Sequence, residues 1–381
     1  MKIIPYGRQY IDHKDISVVS KSLKNDKITT GGEIPKFENK INNFLKCKFS
    51  ITCNSGTSAI FLAMQAINLQ KNDVIVMPAI NFISSYNIAK LFGAKIYLAD
   101  VNAQTGQMTP KDFINCCKKF NLKKIKALIV MYNGGYPENA DKFIKLKKKY
   151  GFFLIEDACH ALGASYIVDN KNIMVGSCRH SDLCTFSFHP LKSITTGEGG
   201  LVTTNSQHIY DKVKKLSSLG IEKKKNHWEY DVLFTGFNFR LTDFQCALGI
   251  SQLKKLKKFL SYRKKVFNQY IESLKDLKEI QLPSFNPKYK SSNHLFIIKL
   301  KDFSQNKKND FIKFMLKKKI ILQYHYIPIY KFKIFKGKYL SKNSKEYFNT
   351  AVSLPIYFGL SKKQQQHIIK SIKNYFIKNK K

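Results

Sequence analysis

FFLIEDACH (152–160) and LCTFSFHPLKSITTGEGGLVTTN (183–205) decide the fold. The first is a short apolar run that ends on the acids Glu156 and Asp157. The second is an apolar run ending at His189, a polar loop carrying Lys192, and a second apolar run from Gly200. Runs of four to eight apolar residues without polar alternation read as strands buried on both faces, the habit of parallel sheets covered by helices. The loop between the two later runs, HPLKSITTGEGG, is too polar and too rich in Gly to be a crossover helix. Loops of this kind, held at the end of buried strands, carry chemistry.

The same alternation extends outward in both directions. FSITCN (49–54), DVIVMP (73–78), KIYLAD (95–100) and IKALIVMY (125–132) join FFLIED (152–157), LCTFSFH (183–189) and GLVTTN (200–205) as seven expected strands. Between the first five lie helical periods such as TSAIFLAMQAI (57–67) and ENADKFIKLKKKY (138–150), so the predicted class is α/β with a large, mostly parallel seven-stranded sheet. From Leu241 a stretch of amphipathic period, LTDFQCALGISQLKKLKKFLSYRKKVFNQYIESL, predicts one helix of about nine turns. HLFIIKL (294–300), KNDFIKFMLKKK (308–319), IILQYHYI (320–327) and a terminal helix around QQQHIIKSIKNYFI suggest a smaller α/β unit. The expected division is residues 1–250 as a large domain with an N-terminal arm, and 251–381 as the long helix with a smaller C-terminal domain.

The chain has 381 residues, 66 Lys and Arg against 26 Asp and Glu, and a formal charge of +40. Such a balance suggests nucleic acid or an anionic membrane as partner. Residue type argues against it. Arg occurs only at positions 8, 179, 240 and 263, whereas bidentate recognition of phosphates and bases favours Arg. The lysines are spread over helical polar positions such as KLKKKY (145–150), and read as solvated faces. No apolar run reaches the roughly 18 residues of a membrane span, and the first residues hold too short an apolar stretch for a signal peptide, so a cytoplasmic protein is expected. The eight Cys (47, 53, 116, 117, 159, 178, 184, 246) form no C-x-x-C pair and the nine His no H-E-x-x-H, so reduced thiols and no metal site are expected.

Three short motifs point to chemistry. Asn54-Ser55-Gly56-Thr57-Ser58 sits where a strand hands over to a helix; it is either an ordinary N-cap or a phosphate cradle, since helix N-termini present free N–H groups and a positive dipole end. Asp157 stands at the carboxyl end of a strand, where open parallel sheets place their ligands. It either caps the next segment or keeps a heterocyclic nitrogen protonated. Lys192 follows a buried strand, with the Ser187 hydroxyl five residues back; one lysine among 62 is a surface charge by default, but a shielded one loses its proton and attacks an aldehyde. Phosphate cradle, strand-end acid and strand-end lysine, in this chain order, meet the three demands of pyridoxal 5′-phosphate (PLP).

IPYGRQYID (4–12), FSFHPLKSITTGEGG (186–200), GFNFRLTDFQCALGISQL (236–253), SSNHLF (291–296) and YHYIPIY (324–330) together resemble the DegT/StrS-type nucleotide-sugar aminotransferases, PLP-dependent enzymes of the aspartate-aminotransferase fold, fold type I. The resemblance spans nearly the whole chain. It implies that Lys192 bears the cofactor and that Asp157 partners its ring nitrogen. His160 falls near the phenolic oxygen, where many relatives carry Gln. Gly56, Thr57 and Ser187 fall on the phosphate, and Phe82 on the face of the ring, with a core Phe as the plain alternative. Asn238, with Arg240 close by, falls on the residue that reaches the cofactor phosphate of a neighbouring subunit, which implies a homodimer. The implied reaction moves an amino group from L-glutamate to C4 of a UDP-linked 4-keto-6-deoxy-N-acetylhexosamine, in the branch of the family that serves pseudaminic acid; sister enzymes make perosamine, bacillosamine or a legionaminic-acid precursor. Arg8 is a partner for the diphosphate, and His294, His325 and Tyr326 line the sugar pocket or, for the two His, are buried structural groups. The chain departs from the family pattern at Asn133-Gly134-Gly135-Tyr136 and at Asn293, on the side of the sugar. His189 lies near the lysine, but Lys192 keeps the cofactor-bearing position, so amino transfer and not dehydration is implied.

Overall fold

The computed structural model describes residues 2–378. All seven expected strands lie in one sheet, in the spatial order Phe49–Cys53, Gly200–Thr204, Leu183–Ser187, Phe153–Asp157, Ala127–Met131, Val74–Pro78, Lys95–Ala99, with the two-residue strand Lys338–Tyr339 added at the edge. Neighbours run parallel except Gly200–Thr204, which is antiparallel to the strands on either side of it. Alternation along each strand divides its side chains between two cores. Leu128, Leu154 and Leu201 pack on one face with Phe37 and Phe113 from the helices Glu33–Leu45 and Pro110–Phe120. Ile129, Ile155 and Val202 pack on the other with Ile60, Leu62 and Met64 from Gly56–Ala66. Burial on both faces is why these strands read as continuous apolar runs.

The predicted long helix is Asp243–Leu274, 32 residues, started by a capping box between Thr242 and Gln245. At 1.5 Å per residue it is about 48 Å long. Its first half gives Cys246, Leu256 and Phe259 to the core of the large sheet. Its second half gives Val266, Phe267, Tyr270 and Leu274 to a separate core, with the three-stranded sheet Ile280–Gln281, Phe296–Leu300, Ala351–Leu354 and the helices Gln305–Lys317 and Lys362–Lys378. One helix thereby belongs to two cores.

The stretch 320–327 is not a regular strand. It bridges Ile4 at Ile320 and Ser353 at Gln323, then reaches the end of the strand Val74–Pro78, where Ile329 N donates to the Ala79 carbonyl at 2.9 Å. Two hairpins escape the sequence pattern: Ser165–Val168 with Lys171–Met174, and Ile221–Lys223 with Tyr230–Val232, whose strands are short and polar on one or both faces. Among the described residues no helix is long and apolar enough to cross a membrane.

Candidate active site

The carboxyl ends of the parallel strands open on a cavity of about 510 Å³. Asp157 is the last residue of its strand and 3% exposed. Strand alternation turns it to the cavity and turns its neighbour Glu156 to the opposite face, where Tyr132 and Ser181 donate to the Glu156 carboxylate at 2.6 and 3.0 Å. The backbone N–H of Cys159 donates to Asp157 Oδ1 at 3.2 Å. Burial raises its pKa, partly offset by this contact and by Lys192. Lys192 stands on the loop after Leu183–Ser187 and shares the cavity wall with Asp157; burial lowers its pKa, against the pull of Asp157. No carboxylate lies within ion-pair distance of its Nζ among the described residues. An amine held in this way is short of its usual solvation, which favours its neutral, nucleophilic form.

On one side of this pair the helix Gly56–Ala66 begins, with Ser55 as N-cap accepting from Ser58 N at 3.0 Å. A β-carbon on Gly56 would stand 2.8 Å from Ser187 Cβ and 3.2 Å from Ser187 Oγ, so glycine is what lets the helix start this close to the strand end. The N–H groups of Gly56 and Thr57 have no acceptor among the described residues. Ser187 Oγ accepts from His189 N at 3.3 Å, which leaves its proton to give. Two free N–H groups at a positive dipole end, facing a hydroxyl, suit a phosphate dianion.

On the other side His160, 2% exposed, lies with its ring stacked on His294 at 4.3 Å between centroids. Its Nε2 is 2.8 Å from the Tyr326 hydroxyl, and its Nδ1 is 3.4 Å from Gly134 N. Burial, with Lys192 nearby, holds both His160 and His294 well below the usual histidine range. His325, whose Nδ1 is 2.8 Å from Ser353 Oγ, is brought down to about 3 by the same causes. All three rings are neutral at physiological pH. Phe82 is 50% exposed over the cavity, 5.7 Å from the Tyr326 ring, a large apolar face left open toward the space in front of Asp157.

The structure therefore gathers Gly56, Thr57, Phe82, Asp157, His160, Ser187, Lys192, His294, His325 and Tyr326 around one cavity. Arg8, Asn238 and Arg240 are not in its wall. Arg8 is exposed beside a small crevice on the far side of the loop 190–195. Arg240 donates to Ser218 Oγ at 2.7 Å. Asn238 is exposed, its carbonyl accepting from Asn54 Nδ2 at 3.4 Å, outside the cavity of its own chain. Tyr6 and Asn81 also line the cavity and were not singled out from sequence. Asn81 follows the strand Val74–Pro78, and the rule that ligands gather beyond strand ends would have marked it. It is 1% exposed with neither amide atom bonded among the described residues, and His294 Nδ1 is likewise buried and without a partner among them, so the cavity wall keeps hydrogen-bonding capacity for a ligand.

Phosphate cradle, acid, half-shielded lysine and open aromatic face stand in the arrangement that PLP requires, so the residues present fit that group.

Residues 9–373 match the DegT/DnrJ/EryC1/StrS aminotransferase family. The chain is 34% identical over 369 residues to the UDP-4-amino-4,6-dideoxy-N-acetyl-β-L-altrosamine transaminase of Campylobacter jejuni, covering 96% of each. It is 30% identical to a GDP-perosamine synthase of Escherichia coli O157:H7 over 74% of this chain and 75% of that one. Among solved structures it superposes on Helicobacter pylori PseC, an aminotransferase involved in the biosynthesis of pseudaminic acid, with a TM-score of 0.90 and 28% identity, covering 99% of this chain and all of the other.

Proposed function

This chain belongs to the DegT/DnrJ/EryC1/StrS aminotransferase family, and we propose from that premise that it transfers an amino group from L-glutamate to C4 of UDP-2-acetamido-2,6-dideoxy-β-L-arabino-hex-4-ulose. The product is UDP-4-amino-4,6-dideoxy-N-acetyl-β-L-altrosamine, a precursor of pseudaminic acid. The observation that carries the reaction class is the shared cavity of Asp157 and Lys192 at the strand ends. The choice of acceptor is supported by the full-length similarity to the Campylobacter transaminase.

PLP, when bound, supplies an aldehyde that takes up the amino group and a ring that accepts the electron pair left on the reacting carbon. The protein's own residues divide the remaining work. Gly56 and Thr57 N–H groups and the Ser187 hydroxyl would hold the phosphate, and Phe82 would cover the ring. Asp157, carrying its charge once a cationic nitrogen faces it, keeps that nitrogen protonated. Lys192 Nζ would hold the cofactor through its aldehyde carbon in the resting enzyme, and as a free amine it takes the Cα proton of glutamate and gives a proton to C4 of the sugar. The neutral rings of His294 and His325 line the sugar side without adding charge there. The balance is glutamate and ketone in, 2-oxoglutarate and amine out.

We assign cofactor binding mainly to residues 1–250 and closure over the sugar to residues 251–381, which send His294, His325 and Tyr326 into the cavity. The active form is a homodimer in which Asn238 reaches the phosphate site of a second copy, with Arg240 beside it and Arg8 free to meet the substrate diphosphate. Exposed Trp228, Tyr230 and Phe237 give that interface apolar surface to bury. A cytoplasmic location fits the nucleotide-linked substrate.

The test is the holoenzyme with L-glutamate and either the L-arabino or the D-xylo UDP-4-keto sugar, with amine formation read by mass spectrometry. Selective turnover of the L-arabino ketone supports the assignment; preference for the D-xylo ketone, or for a GDP-linked 4-keto sugar, transfers the enzyme to a sister pathway. Lys192→Ala abolishes turnover and the visible absorbance of the cofactor, and a fully active variant overturns the mechanism.

A further inference from the structure

The hydrogen bonds around His160 have a fixed direction. Gly134 belongs to the short turn Asn133–Gly135, in which Gly134 and Gly135 adopt φ of 69° and 83°. A side chain at Gly135 would strike Ser292 Oγ and the His160 carbonyl, so this turn exists only with glycine there. It aims the Gly134 N–H at His160 Nδ1. A backbone N–H has only a proton to offer, so Nδ1 presents its lone pair. The one proton of a neutral imidazole then sits on Nε2, which donates to the Tyr326 oxygen 2.8 Å away. Tyr326 cannot return a proton to the same nitrogen. With Nε2 donating, the Tyr326 O–H is left to point elsewhere, and its oxygen makes no other hydrogen bond among the described residues.

That free donor lies in the cavity wall with Asp157, Cys159 and Lys192, its ring 5.7 Å from Phe82. The ionisable groups that face it are His160, Asp157, Cys159, Tyr6, Tyr347 and His325; its own proton is held firmly, by burial first and by Asp157 next. The family pattern puts the phenolic oxygen of PLP beside His160. In this chain the only N–H of that ring is already given to Tyr326. We propose that Tyr326, not His160, donates the hydrogen bond to the cofactor's phenolic oxygen, and that His160 is a positioning residue whose orientation is set by the glycine turn 133–135. The proposal rests on the PLP-dependent reading above.

A donor on the phenolic oxygen draws its negative charge away from the adjacent nitrogen contributed by Lys192, so that nitrogen gives up its proton at lower pH. Tyr326→Phe therefore raises the pH midpoint of the visible band of the holoenzyme by about one unit, a tenfold rise in proton affinity. His160→Leu, which keeps the phenol but loses its holder, shifts the midpoint in the same direction by less. An unchanged midpoint in Tyr326→Phe, with the band intact, overturns this inference and leaves the proposed function standing. Wild-type protein that shows no cofactor band takes both down. A second measurement needs neither variant nor cofactor: ¹⁵N spectra of histidine-labelled apoprotein show His160 as the neutral Nε2–H tautomer between pH 5.5 and 8, and an Nδ1–H or doubly protonated ring refutes the hydrogen-bond direction.

Discussion

Gly56→Ala tests the phosphate cradle most sharply, because the substitution adds one methyl group and nothing else. The backbone at Gly56 is compatible with any residue, being the first turn of a helix with no left-handed φ. The added carbon would sit 2.8 Å from Ser187 Cβ, 3.2 Å from Ser187 Oγ and 3.4 Å from Cys159 Sγ. Apolar carbons settle at about 3.5–4.0 Å, so helix start and strand end must part by roughly 0.7 Å or more. Neither side yields easily. Ser187 closes a strand paired on both edges, and the helix start is tied by its Ser55 cap. Overpacking of this kind costs about 1–3 kcal/mol of stability. The same displacement separates the Gly56 and Thr57 N–H groups from the Ser187 hydroxyl, and losing one charge-assisted bond of about 1.5–3 kcal/mol weakens PLP binding about 10- to 150-fold. The assay is titration of apoprotein with PLP, followed by visible absorbance, beside thermal melts of the apo form. Ser187→Ala is the control that removes the hydroxyl without a clash: it weakens PLP toward the lower end of that range and leaves apo stability near wild type. A folded Gly56→Ala protein that binds PLP within about twofold of wild type refutes the cradle.

Three further outcomes are expected. Asp157→Asn keeps the fold, because its amide still accepts from Cys159 N, but removes the charge facing the ring nitrogen; turnover falls by about 10²–10³ and a loss below tenfold in steady-state assays contradicts the role. Lys308 lies fully buried between Tyr324 and Phe348, 4.3 Å from each ring centroid and bonded to the Phe348 carbonyl, with its pKa lowered by burial and by Lys331 from 10.5 to about 7. Between those values the unfolded chain binds one more proton than the folded, so this site adds stability as pH rises, by up to about 1.4 kcal/mol per unit. Lys308→Met loses that slope, and denaturant melts at pH 7 and pH 9 should show the variant relatively better at pH 7; a constant difference contradicts it. At a PLP concentration that leaves Asn238→Ala subunits largely empty, mixing them with Lys192→Ala subunits should recover roughly a quarter of wild-type activity after exchange, since half the dimers then own one intact site. No recovery means that Asn238 does not act across the dimer.

Much of the cofactor side is legible in the sequence because each of its parts is local. Strand, turn and helix follow one another at 49–66, so the helix start at Gly56 is written in a few residues. Asp157 and Lys192 each close or follow a buried apolar run, and parallel strands bring such ends to one edge of the sheet. The sequence marks Asp157 as the strand-end acid, and the pleat, fixed by pairing with Ala127–Met131 and Leu183–Ser187, is what turns it to the cavity and buries Glu156 against Tyr132.

The sugar side depends on contacts between distant parts of the chain. Tyr326 meets His160 across 166 positions, and Asn133 holds the His325 carbonyl across 192. No periodicity marks 320–327, since the segment leaves the small sheet to reach the end of the strand Val74–Pro78. Arg8 and Arg240, equally plausible anion partners by charge, take places outside the cavity of their own chain because Arg240 is engaged by Ser218 and Arg8 follows the exposed N-terminal arm. The sequence by itself determined the sheet, the order of its strands' functional ends and the cofactor they hold, because those signals are hydrophobic pattern and local turn chemistry. Tertiary structure alone decided that Glu156 is buried against Tyr132 and Ser181 and that Gly134 and Tyr326 meet the two nitrogens of His160, because each is a contact between residues apart in the chain.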